Sequence, residues 1–361
     1  MTFEEARAAF PVLERYAYLN AGSVGPLSRA THQAMAAAER DELEHGRAGW
    51  PYLERMLEAR DRLRTSLAAL IGVESELVSL TSSTSEGCRI VLAGLELSPE
   101  DELVTTDAEH FGLTGALHTS GARVRVAKVR ERPAEEALEA ILAEVGPRTK
   151  LVGLSHVLWL NGHVLPLPEL KEALSVPLLV DGAQSVGAIP VDAAPFDFYT
   201  VSGQKWLCGP APTGALYVKE PDRLAVALPS YFSQAKYEPS GAFEPRPGAL
   251  RFDPGWIPVS FLDGLQAAID GMPEWRFERS RELTDQCRSR LVEAGFDVVT
   301  EPGQGTLVSW RWEGDTLETA KRLGELGVII RDLPGTGLLR ASCGYWTSEG
   351  DIDRLLEGLR Q

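Results

Sequence analysis

Lys205 sits in the stretch VSGQKWLCGPAPTG, between a glutamine and a tryptophan, with glycines and prolines close by. The preceding DFYTVS is aromatic and β-branched and reads as a buried strand, and GALYV after the turn reads as another. Lys205 therefore falls just past a strand end, the place where α/β sheets bind their ligands. A partly desolvated amine loses affinity for its proton. In its neutral form it is a nucleophile that condenses with aldehydes. A lysine taken alone is more commonly a surface residue, so this chemistry depends on partners.

Three other segments put polar residues at strand ends. PLLVDGAQSVG ends a strand on Asp181, and LTSSTSEGC puts Thr84 and Ser85 on a strand-to-helix turn. Amides at a helix N-terminus, with two hydroxyls, bind phosphate. DAEHFG puts His110 just after the next strand. Each has a plainer reading alone: Asp181 as a turn or helix cap, Thr84 and Ser85 as a capping region with Glu86 in the first turn, His110 as a cap or surface residue. Together they give a phosphate cradle, a histidine, a carboxylate and an amine, each at a strand end of one sheet. Pyridoxal 5'-phosphate needs such a set: amides and hydroxyls for its phosphate, a stacking partner for its ring, a carboxylate for its pyridine nitrogen and an amine for its aldehyde.

The elements that must carry these residues alternate. Strand candidates are ELVSLT, ELVTT, RVRVAKV, KLVGLSHV, PLLVD, DFYTVS and GALYV, with helical patterns such as SEGCRIVLAGL, AEEALEAILAEV and LPELKEAL between them. This alternation predicts a mostly parallel sheet with helices on both faces. Before it, the helix-forming run from Ser28 to Gly72 reads as two helices broken near GRAGWP. After it, YEPSGAFEPRPGALRFDPGWIP reads as a long irregular connection, followed by a helical stretch from about Val259 to Ala294. The end reads as a smaller α+β unit: FDVVT, TLVSWRW, a helix over TLETAKRLGEL, GVIIR, LLRAS and a last helix in SEGDIDRLLEGL.

The 361 residues suffice for two domains. A formal charge of −16 argues against nucleic acid and anionic membrane as partners. No apolar run approaches a membrane span, and the acidic N-terminus is unlike a signal sequence. Cys88, Cys208, Cys287 and Cys343 are scattered without metal spacing and read as reduced core residues of a cytoplasmic protein; the six histidines form no metal-binding pair.

The motifs YLNAGSVGPLS, TSSTSEG, EHFG, SHVLWLNGHVLP, VDGAQSVG, SGQKWLCGP, RFDPGW and LLRASCGYWTSEGDIDRLL follow one another over nearly the whole chain. In this order the chain resembles the class V aminotransferase group of fold-type I pyridoxal-phosphate enzymes, which includes cysteine desulfurases, kynureninase-like and epimerase-like proteins and C–S lyases. The resemblance implies a seven-stranded, mostly parallel sheet in a large domain over residues 26–258, a small α+β domain over 259–361, and an N-terminal segment, 1–25, joining the small domain. It implies a homodimer with sites at the subunit interface. Lys205 is implied to bond the cofactor and shuttle protons, Asp181 to pair with the ring nitrogen, Gln184 to bond the ring oxygen and His110 to stack on the ring. Thr84, Ser85, Ser202 and Gln204 are implied to hold the phosphate, and Arg340 to bind the substrate's α-carboxylate, which suits a fork-shaped guanidinium.

Three departures from that pattern bear on the reaction. Trp159 stands where an asparagine often approaches the cofactor oxygen, and Trp256 stands where a threonine often reaches the neighbouring subunit's phosphate; both tryptophans are read as walls of the substrate pocket. The region GVIIRDLPGTGLLRAS lacks the nucleophilic cysteine of a desulfurase. It supplies instead two arginines, Arg331 and Arg340, suited to a substrate with two carboxylates. The expected activity is β-elimination on L-cystine or L-cysteine, giving pyruvate, ammonia and a persulfide or sulfide that would need an acceptor. Its competitors are a class V aminotransferase, an isopenicillin N epimerase-like reaction, a cysteine desulfurase, and a non-catalytic protein that binds the cofactor. For Arg331 alone, a surface arginine paired with Asp332 is an equal reading.

Overall fold

The computed structural model describes all 361 residues. Seven strands form one sheet in the order Val78–Thr81, Gly214–Val218, Phe198–Ser202, Leu178–Asp181, Thr149–Ser155, Glu102–Thr106, Arg123–Ala127. Every neighbouring pair is parallel except those made by Gly214–Val218, which runs antiparallel to both of its partners. All seven strands fall on the segments that the sequence marks, one of them starting at Thr149, a residue before KLVGLSHV. The inner strands are buried almost throughout, as a sheet covered by helices on both faces demands. The edge strand Arg123–Ala127 is the exception, with Arg123 exposed on its open side.

Because the parallel strands point the same way, their C-terminal ends line up. Thr106, Ser155, Asp181 and Ser202 are each the last residue of a strand. Asp181 lies opposite Ser155 on one side and Thr200 on the other. The turns that follow these ends carry the candidate site.

A second, smaller core packs around a three-stranded antiparallel sheet in which Leu338–Ser342 lies between Leu307–Arg311 and Arg331–Leu333. The N-terminal segment joins it: Ala17–Tyr18 pairs in parallel with Val328–Ile329, and Asn20 bridges to Ser342. No helix of the protein is long and apolar enough to cross a membrane.

Several local expectations change. The single helical stretch from Val259 is two helices, Val259–Asp270 and Arg276–Glu293, because Gly271 and Pro273 interrupt it. The first of them was expected in the C-terminal domain beginning at 259. It instead buries Val259, Leu262 and Leu265 in the large core, while the second contributes Leu283, Cys287 and Leu291 to the small one. The division between the cores thus falls between the two helices. The connection expected to be irregular from Tyr237 onward opens inside an exposed hairpin, Gln234–Tyr237 with Phe243–Pro245, which Gly241 allows to reverse at φ +93°. FDVVT makes no strand and only an isolated bridge from Val298 to Trp310. AEEALEAILAEV is helical only from Ala137 to Leu142, after a short tighter turn.

Candidate active site

The strand Phe198–Ser202 delivers Lys205 into a compact turn beside its end. Cys208 N–H bonds back to the Lys205 carbonyl at 3.1 Å, and Gly203 and Gly209 close the turn on each other at 2.9 Å. The N-terminal segment braces the turn from outside: Gly25 N–H donates to the Gln204 carbonyl at 2.8 Å. A Cβ at Gly25 would lie 2.1 Å from the Lys205 carbonyl oxygen, so only glycine allows this approach. The Lys205 ammonium is partly buried and forms no hydrogen bond and no ion pair. Burial lowers its pKa from 10.5 to about 8; Asp181 works against that shift and Arg340 adds to it.

Asp181 is buried at its strand end, and the hydrogen bonds its carboxylate receives, from Ala183 N–H at 2.9 Å and Thr200 Oγ1 at 3.5 Å, go to Oδ1. It pairs with no cation of the protein. His110 caps the helix Phe111–Thr119, its Nδ1 accepting the Gly112 N–H at 3.0 Å. That bond leaves the ring proton on Nε2. Burial, then Lys205, lowers the imidazole's pKa, so the ring is neutral. Trp159 meets it edge-on, with ring centroids 5.2 Å apart.

The helix Thr84–Gly94 opens on Ser83, which caps it by accepting the Glu86 N–H at 3.2 Å. Thr84 and Ser85 are thus first-turn residues and not the cap. Their backbone amides have no acceptor within the helix, and their hydroxyls bond to no other group. The S-x-x-E spacing in SSTSE was the signal that the cap falls on Ser83. Ser202 Oγ donates to Gln204 Oε1 at 3.0 Å, tying two further phosphate candidates together. Gln184 is more committed than expected: Nε2 donates to the Gly22 carbonyl at 2.8 Å, and Oε1 accepts the Trp206 indole N–H at 2.9 Å. One amide hydrogen is left for a ligand.

Arg340 crosses from the small domain. It is 2 % exposed, its Nη1 donates to the Trp159 carbonyl at 2.9 Å, and its Nε has no partner. The other two buried arginines, Arg60 and Arg64, share the buried Asp253 at 3.2 and 2.8 Å; Arg340 faces no carboxylate. Burial and Arg331 push its pKa down to about 9. A guanidinium keeps its proton under such pressure, so the site is left with an unneutralised buried cation that favours an anion. Arg331 lies directly opposite Arg340 in the antiparallel pair, on the same face of the sheet. It is exposed and makes no ion pair with Asp332.

Trp256 is not brought to this cluster within one chain. It is 61 % exposed and packs on Phe232 and Tyr52 with centroids 5.0 and 6.3 Å apart. The segment before it is fixed by Asp253, which also accepts from Ser79 and Leu80. All four cysteines are buried as free thiols: Cys343 lies in the small core with Cys287, and burial raises the Cys208 thiol far above its usual range.

Strand-end amine and carboxylate, an open helix N-terminus and an unneutralised arginine on this doubly covered sheet fit pyridoxal 5'-phosphate. The free amides and hydroxyls of Thr84 and Ser85 suit its phosphate, Asp181 its ring nitrogen and Lys205 its aldehyde. They define a fold-type I pyridoxal-phosphate enzyme. The chain belongs to the class-V aminotransferase family, whose model matches residues 33–302. It is similar to the isopenicillin N epimerase of Amycolatopsis lactamdurans, 30% identical with 95% of this chain and 94% of that one covered. It is likewise similar to a probable cysteine desulfurase of Methanothermobacter thermautotrophicus, 29% identical over 100% of this chain and 98% of the other. Among solved structures it superposes on the cystine C–S lyase C-DES in complex with its reaction product cysteine persulfide, with a TM-score of 0.89, 28% identity, and 97% of this chain and 98% of that chain covered.

Proposed function

We propose that the enzyme is a C–S lyase that cleaves L-cystine, and L-cysteine less well, by β-elimination. The observation that carries this reading is the pair Arg340 and Arg331, facing one another across two strands with no protein carboxylate on Arg340. Arg340 binds the α-carboxylate in a dry setting, where a charge-assisted pair is strong. Arg331 meets the second carboxylate of cystine at the exposed mouth. The cofactor, when bound, supplies the electron sink for the pair left at the α-carbon. Lys205 Nζ takes the α-proton, Asp181 keeps the ring nitrogen protonated by charge, and the neutral His110 ring offers an apolar face for stacking. The Cβ–S bond then breaks and the sulfur leaves with its electrons, as cysteine persulfide from cystine or as sulfide from cysteine. Water completes the release of pyruvate and ammonia.

No thiol of the chain takes part, since all four are buried and none lies between Arg331 and Arg340. A Cys208→Ser, Cys343→Ser double variant is therefore expected to lose some stability through polar burial and to keep releasing pyruvate from cystine. Persulfide found on either cysteine during turnover would support a desulfurase instead. We also propose that the chain works as a homodimer in which the exposed Trp256 of one subunit walls the other's pocket.

The arginine pair gives the sharper test. Arg340→Ala should lower kcat/KM on cystine and cysteine alike. Arg331→Ala should lower it on cystine by about 10- to 100-fold, the loss of one charge-assisted contact of about 1.5–3 kcal/mol, and leave cysteine nearly unaffected. Equal losses on the two substrates would remove the two-carboxylate argument. The likeness to isopenicillin N epimerases over nearly the whole chain favours one second reading, stereochemical inversion at the same α-carbon.

A further inference from the structure

Five carboxylates of the chain are buried: Glu102, Glu109, Asp181, Asp253 and Asp351. Three of them face arginines: Glu102 faces Arg148 and Arg125, Asp253 faces Arg60 and Arg64, and Asp351 faces Arg7. Asp181 has its use at the cofactor. Glu109 faces no cation, and nothing in the reaction described above employs it.

Its hydrogen bonds show where it acts. Glu109 Oε1 accepts from Thr106 Oγ1 at 2.7 Å; Oε2 accepts from the Ser155 amide at 2.9 Å and from Ser155 Oγ at 2.5 Å. Thr106 and Ser155 are the last residues of two adjacent parallel strands, and Ser155 is the registered neighbour of Asp181. The next residue after Glu109 is His110. One side chain thus clamps two strand ends and fixes the turn that presents the histidine.

We propose that Glu109 is a positioning residue that holds Ser155 beside Asp181, fixes the His110 turn, and adds a second negative charge behind Asp181. It touches neither substrate nor cofactor and acts through these neighbours.

The titratable groups facing it are Asp181 from the adjacent strand end and, from the Thr84–Gly94 helix, the buried Cys88 thiol; His110 follows it in the chain. Burial, opposed by the Ser155 and Thr106 bonds and assisted by Asp181, raises the Glu109 carboxyl from 4.5 to about 7. Either form is accommodated, because both hydroxyl partners can accept a hydrogen bond as readily as donate one. A negative charge here favours the protonated, cationic state of the lysine-linked cofactor. Removing it should favour deprotonation.

The test is a pH titration of the holoenzyme's visible absorbance without substrate, so the reading does not depend on which amino acid the enzyme cleaves. E109Q keeps the shape and removes the charge. Its midpoint should fall by about one pH unit, the scale for a unit charge roughly 10–12 Å away at an effective dielectric of ~20. E109D keeps the charge, so its midpoint should stay near that of the wild type even where kcat drops. The apoprotein supplies a second readout. A carboxyl raised on folding weakens the fold as pH climbs from its unfolded value through its folded one. The melting temperature of apo-E109Q relative to wild type should therefore rise between pH 5 and about 8. An E109Q midpoint equal to the wild type's, with a melting offset that is flat in pH, would reduce Glu109 to a structural clamp. A displaced midpoint in E109D would overturn the charge argument whether or not E109Q folds.

Discussion

Replacing Lys205 by alanine should abolish turnover and the absorbance of the lysine-linked cofactor, while the sheet and its turns are expected to stay folded. The size of the effect follows from the amine's setting. With a pKa of about 8, about a tenth of the Lys205 side chains are neutral at pH 7, against a few in ten thousand for a lysine at its ordinary value. No hydrogen bond or ion pair competes for Nζ. Borohydride reduction followed by peptide mapping should fix the cofactor on Lys205; a label on another lysine would refute the assignment. The same burial costs stability. An unfolded chain keeps the lysine proton up to about pH 10.5, whereas the folded one gives it up near pH 8, so the penalty is fully present below pH 8 and fades as pH rises to 10.5. The apoprotein of Lys205→Met should be more stable than wild type at pH 7 by about 2 kcal/mol, a figure reduced from the full shift because the side chain is partly exposed. That advantage should shrink above pH 8 in thermal melts.

Asp181→Asn should be the second most damaging change. An asparagine still accepts the Ala183 N–H and the Thr200 hydroxyl at Oδ1, so folding and cofactor binding are expected to persist. An amide cannot hold a proton on the ring nitrogen by charge. A loss of about 3–4 kcal/mol of stabilisation corresponds to a kcat reduced by about 100- to 1000-fold. Steady-state kinetics on the cofactor-saturated variant measure it directly. A rate within a few-fold of wild type would remove Asp181 from the mechanism.

The large sheet was legible because each of its strands is a short β-branched or aromatic run closed by a turn, and burial on both faces leaves such runs nearly uninterrupted. Lys205 and Asp181 were legible for the same reason: a strand end is visible in a sequence, and it is where these residues stand. What depends on contacts between distant segments was not visible. Nothing in the local sequence places Arg60, Arg64 and Asp253 together, since their pairing joins a helix to a loop nearly two hundred residues later. Glu109 looked like part of the EHFG motif until Thr106 and Ser155 converged on it. Chain order alone assigns the Val259–Asp270 helix to the C-terminal unit that it adjoins, yet its apolar face fits the large core. The hairpin at Gln234–Tyr237 was hidden by the prolines and glycines that surround it, and the commitments of Gln184 to Gly22 and Trp206 required the fold to be seen.

The most direct measurement of the proposed activity is a balance of products from L-cystine with the purified holoenzyme. One pyruvate and one ammonia are expected for each cystine consumed, with one cysteine persulfide released to solution, at a rate retained when Cys208 and Cys343 are serine. Alanine as the carbon product, a keto acid that keeps its sulfur, or an amino acid returned only with its α-carbon inverted would each contradict the lyase reading.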